Sequence, residues 1–506
     1  MARLSLSPPV FPAADMGGSH ALFSAARIRR RTFLSNLVAL ATLPWNRGAR
    51  SEQDSSPERL AERHLREFAH GDPDYELKRQ STVWQALKPD RRPALIVEAR
   101  SDQDVIQALQ QARAEKSQVS VCAGGHSYIA GFLRDDTVLI DVSAMQEIHV
   151  SRDRRSFTVG PGVRAAVLDA YLAQHDLAFP VPHVGTVGMG GFLLGGGMGW
   201  NGESWNGMAC FNTRAVDLIT ADGRRLTVAA DSHPNLFAAA RGAGPAFCAV
   251  ATRFHVKAFA RPRVVVRSTH VFGLDSVASV AKWLQKAAAA EHSGMELTMI
   301  LTFDENPEAA VDAPPSASCL ASLTCCADSR PEANARVDEV ARMAPTGPSA
   351  SGGERREPTF AELLAMNFTG APRRLAADNI WTQRPMEALT VLAGHFMAAP
   401  SANTVVIANF RSADAPRRDA VCSVIAPCYV MWLASWDQAE DDAKNLAWVG
   451  AAARVVEPYT VGCYVNETDF LLRPERARRS FSADNWRRLH AVRTEYDPQD
   501  LFYSPF

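Results

Sequence analysis

Eight of the 31 glycines in this 506-residue chain fall within the fifteen positions from Gly185 to Gly199, a stretch called here the glycine segment. Average usage would place about one glycine there. Glycine costs conformational entropy on folding, so this density indicates backbone that a phosphate or a flat ring approaches closely. A flexible linker would be polar, whereas Phe192, Leu193 and Met198 are interleaved here, which favours a buried loop.

A second, shorter glycine cluster lies upstream, with Gly124, Gly125 and Gly131 placed between two β-like runs. The backbone N–H groups of two such loops can hold a polyanion, as a dinucleotide requires, without dedicated charged side chains. Neither loop matches a P-loop, and neither has the flanking elements of the Gly-x-Gly-x-x-Gly fingerprint. The sequence therefore predicts a dinucleotide site built from two glycine loops.

Composition is typical of a large globular protein, with 47% hydrophobic and 22% charged residues, enough for two cores. The net charge of −1 gives no indication of nucleic-acid binding. Nine cysteines in so long a chain predict neither a disulfide framework nor a zinc site, so no metal is expected. No apolar run is long enough to predict a membrane span.

The glycine clusters and several further motifs resemble the FAD-binding domain shared by vanillyl-alcohol oxidase, para-cresol methylhydroxylase and berberine bridge enzyme. The motifs, in chain order, are Gly-Gly-His-Ser at 124–127, Thr-Val-Gly-x-Gly-Gly at 186–191, Gly-Gly-Gly-x-Gly at 195–199, Tyr-Val-Asn at 464–466 and Tyr-Asp-Pro at 496–498. The last two are similar to the tail of berberine-bridge-like oxidases. The resemblance covers roughly residues 85–260 and 455–506.

The resemblance implies an α+β fold in which a two-subdomain FAD-binding module of the PCMH (para-cresol methylhydroxylase) type is joined to an antiparallel-sheet substrate domain with helices. Alternating strand-like and helix-like runs agree with that class. Long runs between residues 262 and 450 alternate polar and apolar side chains, as a sheet with one buried face does. The predicted organisation is a leader and linker at 1–55, the FAD-binding domain at 85–260, the substrate domain at 261–454, and a tail at 455–506 that returns to the FAD module.

The resemblance also implies FAD as the cofactor, with His126 as the site of covalent attachment to the flavin 8α-methyl group. Many berberine-bridge-like oxidases add a second link through a cysteine at the position that is Val184 here, so a single link through His126 is expected. The residues expected to contact FAD are Ala123, Gly124, Gly125, His126, Ser127, Tyr128, Gly185, Thr186, Val187, Gly188, Gly190, Gly191, Gly195, Gly196, Gly197, Gly199, Trp200, Val250, Tyr464 and Asn466.

The resemblance leaves the catalytic base open. Many relatives place an aromatic residue, often tyrosine, directly after Tyr-Val-Asn, whereas this chain has Glu467. Tyr464, Asn466 and Glu467 are the candidate catalytic residues, each weighed against an ordinary structural role. Residues 464–467 are expected to form a strand next to the flavin, in which side-chain alternation puts Tyr464 and Asn466 on the flavin side and turns Glu467 away. Tyr464 is then the better candidate for the proton acceptor.

The implied activity is that of an FAD-dependent oxidase that takes a hydride from a C–H bond of an alcohol, a sugar or an amine, with O₂ reoxidising the flavin. A dehydrogenase that passes electrons to a quinone or a carrier, and a non-catalytic flavin-binding redox sensor, are the alternatives. The expected partners are a small-molecule substrate and the electron acceptor. Candidate residues for lining the substrate cavity, each weighed against a core role, are Asp378, Trp381, His395, Asn409, Trp432 and Trp436.

The N-terminus carries an export-like pattern. Arg30 and Arg31 precede Phe33, Leu34 and a modest apolar run, an arrangement that resembles a bacterial twin-arginine signal. That route carries folded proteins, which suits a chain that must bind FAD before export. The expectation is a periplasmic or secreted protein, or a cytoplasmic one if this basic leader does not act as a signal.

Overall fold

The computed structural model describes residues 65–290, 295–304, 316–347, 350–365, 373–412 and 419–504. The leader with Arg30 and Arg31 lies outside the described residues. No helix in the described part of the chain is both long enough and apolar enough to cross a bilayer.

The first sheet combines parallel and antiparallel pairing in the order β1-β2-β4-β3. Strand β1 is antiparallel to β2, while β2 and β3 each run parallel to β4. The elements are β1 (Arg66–Ala69), α1 (Tyr75–Ser81), β2 (Leu95–Glu98), α2 (Asp102–Glu115), β3 (Val119–Cys122) and β4 (Val138–Asp141). Helix α2 begins with a capping box, in which the Ser101 hydroxyl accepts from the Asp104 N–H. The loop that carries Gly124 and His126 follows the carboxyl end of β3.

The second sheet is antiparallel, in the order β5-β6-β10-β8-β9, and completes the first module. Its elements, with a small β11-β7 pair, are β5 (Ile148–Val150), β6 (Ser156–Val159), α3 (Ala165–Ala173), β7 (Leu177–Ala178), α4 (Met189–Leu194), β8 (Thr213–Thr220), β9 (Arg225–Ala229), α5 (Pro234–Ala239), β10 (Ala249–Lys257) and β11 (Phe259–Ala260). The glycine segment lies between β7 and β8. Most of it has no regular structure apart from α4.

The second module is a seven-stranded antiparallel sheet in the order β15-β12-β14-β13-β17-β18-β16. Its elements are β12 (Val264–Gly273), α6 (Val277–Ala289), β13 (Met295–Phe303), β14 (Ala317–Ala327), α7 (Arg330–Ala341), β15 (Ser351–Arg356), α8 (Phe360–Ala365), β16 (Arg374–Thr382), α9 (Pro385–Phe396), β17 (Val405–Phe410), β18 (Cys428–Trp436) and α10 (Asp442–Val456). One face packs against α6, α7, α9 and α10, and the opposite face packs against the first module. The predicted α+β class, with an antiparallel sheet and helices in the second domain, is confirmed.

The C-terminal residues pack back onto the first module through α11 (Pro474–Arg478) and α12 (Ala483–Tyr496). The Tyr496 hydroxyl lies 3.0 Å from Nδ1 of His233, directly before α5. The Val119 N–H donates to the Leu501 carbonyl at 2.7 Å, which pairs the end of the chain with β3. The first module is therefore built from both ends of the described chain.

Three of the residues predicted to line the substrate cavity lie on the helix-covered side of the sheet instead. The Trp432 indole N–H donates to the Val449 carbonyl at 3.0 Å, and Trp436 shares the same core. His395 stacks on Trp448 of α10. Every residue of β18 is buried. Its sequence therefore does not indicate which of its side chains face the helices and which face the first module.

Asp378 is also excluded from the cavity lining, because it is fully buried and paired with Arg473 at 2.5 Å. Trp381 lies on the opposite face of the sheet, where it packs with Tyr429 and Tyr464. Asn409 pairs with Tyr429 on the neighbouring strand, and the two share that face.

Residues 82–86, called here the strap, connect the two modules. The Trp84 N–H donates to the Gly125 carbonyl at 3.3 Å. The fully buried Gln85 side chain donates to the Tyr128 carbonyl and accepts from the Leu375 N–H of β16, each at 2.6 Å. One amide thus joins the loop that carries His126 to the substrate-side sheet.

We predict that Gln85→Ala lowers the free energy of unfolding by about 2–4 kcal/mol, because it leaves a buried N–H and a buried carbonyl without partners. Urea unfolding monitored by tryptophan fluorescence measures the change. Gln110→Ala, at an exposed position on α2, is the matched control and should stay within about 0.5 kcal/mol of the parent protein. Equal stability of the two variants would show that the strap is not a structural link.

Candidate active site

The two glycine clusters, far apart in sequence, meet backbone to backbone. A Cβ atom added to Gly124 would lie 2.4 Å from the Gly188 nitrogen, and one on Gly190 would lie 3.1 Å from the Ala123 Cβ. Gly125 has a φ of +69°, and a Cβ there would lie 2.0 Å from the Thr82 carbonyl oxygen of the strap. These positions admit no side chain, which explains much of the glycine density.

Gly191 differs from these glycines because no neighbouring protein group excludes a side chain at this position. It is exposed on α4, and apart from its chain neighbours and the backbone of its own helix, no atom lies within 4 Å of the position that its Cβ would take. Glycine inside a helix costs about 1 kcal/mol relative to alanine. Exposed backbone without a side chain at Gly191 would let a ligand approach the helix closely.

His126 follows these glycines and is held beneath the strap. Its ring stacks on Trp84, with centroids 4.4 Å apart and planes 15° from parallel. Its Nε2 atom is buried and has no hydrogen-bond partner among the described residues. Burial, together with the Arg164 guanidinium, lowers the pKa of His126 to about 3. The imidazole is therefore neutral at physiological pH.

The predicted strand at Tyr464–Glu467 is wrong. These residues form a turn, in which the Glu467 N–H donates to the Tyr464 carbonyl at 3.1 Å. A turn does not alternate its side chains as a strand does, so the argument that turned Glu467 away from the site fails. The Tyr464 and Asn466 side chains still meet, since the Asn466 amide donates to the Tyr464 hydroxyl at 3.0 Å.

Tyr464 and Asn466 anchor this turn on the glycine segment. The Gly197 N–H donates to the Tyr464 hydroxyl at 2.9 Å, and the Asn466 amide also donates to the Gly191 carbonyl at 3.2 Å. A Cβ on Gly195 would lie only 1.8 Å from the Asn466 Oδ1. Burial and the nearby Glu467 carboxylate raise the pKa of the Tyr464 phenol.

Glu467 points to the substrate-side sheet. Its carboxylate accepts a hydrogen bond from the Tyr429 hydroxyl of β18. Burial raises the pKa of Glu467, while the Tyr429 hydrogen bond and the charge of His183 act in the opposite direction. The Glu467 charge in turn raises the pKa of the buried Tyr128 phenol, a smaller contribution than burial itself. A carboxyl group and three tyrosines thus share the space between the two modules.

A small cleft, partly open to solvent, lies at the junction of the modules. Two ion pairs cross it: His183 with Glu296 at 2.8 Å, and Arg411 with Glu203 at 2.6 Å. Its remaining lining is Met198, Gly199, Asn201, Gly202, Gly207, Met208, Met295, Asn409 and Phe410. Sequence reasoning identified Asn409 but missed both ion pairs and Tyr429, because each pair joins residues from different modules.

The other residues predicted to contact FAD are distributed around these features. Gly196 and Gly197 have positive φ angles beside Met208 and Phe192. The remaining residues of this group lie in the histidine loop, the glycine segment or directly after it, and are Ser127, Gly185, Thr186, Val187 and Trp200. Val250 is fully buried on β10, within the core of the first module. No group of His, Cys, Asp or Glu side chains in the described ranges could hold a metal ion.

Two family models match the chain: "FAD binding domain" over residues 93–229 and "Berberine and berberine like" over residues 463–505. The FAD-linked oxidoreductase penO of Penicillium crustosum is 26% identical over 448 residues, which cover 84% of this chain and 93% of that protein.

Solved structures share the fold. BBE-like 1 of Physcomitrella patens aligns over 89% of this chain and 98% of its own, with 18% identity and a TM-score of 0.75. For 6-hydroxy-D-nicotine oxidase of Arthrobacter nicotinovorans the shares are 87% and 96%, with 21% identity and a TM-score of 0.74.

The resemblance predicted from the sequence is therefore confirmed. The chain combines a PCMH-type FAD-binding domain with a berberine-bridge-like tail, and it is an FAD-linked oxidoreductase. The open backbone at Gly191 and the buried Nε2 of His126 fit this cofactor, because each is a feature that the protein alone leaves unexplained. The two glycine loops and the 464–467 turn are the elements that would hold it.

We predict that Gly191→Ala stabilises the apoprotein by about 0.5–1 kcal/mol but weakens FAD binding at least about tenfold, because an added methyl group in a tight contact costs about 1–3 kcal/mol. Thermal unfolding of apoprotein and FAD titration measure the two effects. The titration uses a His126→Ala background, so that a covalent bond cannot mask weaker affinity. Gly394→Ala on α9, where a Cβ also meets open space, is the control and should stabilise without affecting FAD. Unchanged affinity in Gly191→Ala would place the cofactor elsewhere.

Proposed function

We propose that the protein is an oxidase that removes a hydride from the carbinol carbon of an alcohol or a sugar. The observation that carries the proposal is the Glu467 carboxylate, held by Tyr429 beside the glycine segment. An alcohol must release its hydroxyl proton as the hydride leaves, so its oxidation benefits from a base. When bound, FAD supplies the hydride acceptor, and O₂ removes the electrons.

Glu467 suits the role of general base because its pKa is raised toward the working pH, where a carboxylate accepts protons most effectively. Tyr429 orients the carboxylate by donating to it. The junction cleft next to Tyr429 gives the substrate an entry with charged and amide side chains on both walls. Such groups suit a hydroxylated substrate better than an apolar one.

We predict that Glu467→Gln slows anaerobic flavin bleaching by about 10² to 10⁴, the usual effect of losing a general base. Stopped-flow absorbance measures the rate with a panel of primary alcohols, secondary alcohols, sugars and nicotine-like amines. Amines are included because one structural relative is named as an oxidase of 6-hydroxy-D-nicotine. Tyr464→Phe is the comparison variant and should lose much less rate, since its hydroxyl holds the turn.

A reversed order of the two variants would assign the base to Tyr464. If no compound of the panel bleaches the flavin, the proposed oxidation of alcohols and sugars is wrong. The same reduced enzyme, mixed with air or with a quinone, separates the oxidase from the dehydrogenase: we expect fast reoxidation by O₂.

We further propose that FAD is attached through His126 alone. Its neutral imidazole is a competent nucleophile, and Val184 offers none at the position of the second link. Acid-precipitated protein should keep a fluorescent yellow flavin, and His126→Ala should release it all. His149→Ala, an exposed histidine of the same module, should behave as the parent protein. Acid-stable flavin in His126→Ala would move the link to another residue.

A further inference from the structure

The strap covers one whole face of the His126 ring. Trp84 lies parallel to the imidazole at 4.4 Å, and the Trp84 N–H is bonded to the carbonyl of Gly125, the residue before His126. Gly125 itself is pressed against Thr82 of the strap, where no Cβ would fit. The indole and the histidine loop are therefore fixed relative to each other by backbone contacts. The family model begins at residue 93, after the strap.

We propose that Trp84 is a positioning residue for covalent flavin attachment: its indole fixes the plane of the His126 ring and excludes water, so that the imidazole meets the flavin neutral and in one orientation. This inference rests on the proposed link through His126. Trp84 itself lies outside both glycine clusters.

The chemistry explains why both properties matter. The imidazole nitrogen forms a C–N bond to the 8α carbon as a C–H bond of that methyl group breaks. That proton and the N–H proton of the imidazole are released, and the electron pair passes through the flavin to O₂, which takes up two protons to give H₂O₂. An imidazole that has taken up a proton has no lone pair for this bond. An imidazole that rotates freely rarely presents the lone pair to the carbon, so attachment slows.

Among the described residues, the Arg164 guanidinium, directly before α3, is the charge that adds to burial in lowering the pKa of His126, while the Thr186 backbone acts in the opposite direction. The Tyr128 ring also contacts the Trp84 indole, in a T-shaped arrangement with ring centroids 5.9 Å apart. Removal of Trp84 leaves Arg164 in place and changes mainly the hydration of the ring. The pKa of His126 should then rise toward the ordinary value of about 6.5.

Apoprotein is mixed with FAD in air, and acid-stable flavin is followed with time at pH 5.5 and pH 7.5. We expect the parent protein to attach flavin at nearly the same rate at both values, since His126 stays neutral throughout. Trp84→Ala should be slower at pH 7.5 and should lose further rate at pH 5.5, by at most about tenfold, the limit set by an ordinary histidine pKa of about 6.5, because Arg164 still lowers the pKa of His126. Trp84→Phe keeps an aromatic cover and should recover most of the parent rate.

Trp486→Ala is the matched control. Trp486 also contacts a histidine, His490, with ring centroids 4.8 Å apart, but on α12 of the tail. It should leave the attachment rate unchanged at both pH values. Parent-like rates in Trp84→Ala at both pH values would overturn the proposal. So would an equal loss in Trp84→Ala and Trp486→Ala, since that result indicates general destabilisation.

A second measurement does not depend on attachment. The histidine Cε1–H signals of apoprotein are titrated by NMR, and the His126 signal is identified by its absence in His126→Ala. We expect no titration of this signal above pH 5 in the parent protein and a titration near pH 6 to 6.5 in Trp84→Ala, as for an ordinary histidine. If the parent protein holds no acid-stable flavin, the proposed link fails, yet this titration still decides whether Trp84 keeps the ring dry. An unchanged titration in Trp84→Ala would refute that role.

Discussion

The contact between Gly124 and Gly188 determines where the rest of the site lies. Because a Cβ on Gly124 would lie 2.4 Å from the Gly188 nitrogen, the two loops touch through backbone alone. That contact brings the loop after β3, with His126, to the glycine segment more than fifty residues later. A side chain at either position would separate the loops and, with them, the two subdomains of the first module.

Other glycines of the two clusters contact segments from the N-terminal and C-terminal parts of the described chain. Asn466 fills the space that a side chain on Gly195 would occupy, and Gly125 makes room for the Thr82 carbonyl of the strap. The strap and the 464–467 turn lie at opposite ends of the sequence, yet both pack onto glycine positions. The glycines therefore fall into two kinds. Some positions are filled by another part of the protein, whereas a Cβ on Gly191 would meet open space.

The parts of this arrangement that local sequence encodes could be predicted. The glycine clusters, the Ser101 capping box and the strand runs of β12, β13, β17 and β18 each follow from residues that are adjacent in sequence or regularly spaced. The His183–Glu296 pair could not be predicted, because it depends on how the sheet lies against the glycine segment. The prediction that Trp432 lines the substrate cavity failed for a related reason. A strand that is buried on both faces has no alternation of polar and apolar residues to indicate which side chains face the cavity.

Burial acts on Tyr464 and Glu467 in the same direction, but with opposite consequences for catalysis. It raises the pKa of both groups. For a carboxyl group with an ordinary value of 4.5, a rise brings the pKa closer to physiological pH and makes the carboxylate a stronger base. For a phenol with an ordinary value of 10, a rise moves the pKa further away and leaves the group protonated. A turn that packs both side chains between the two modules therefore supports the proposal of Glu467 as the proton acceptor and leaves Tyr464 to accept the hydrogen bond of the Gly197 N–H.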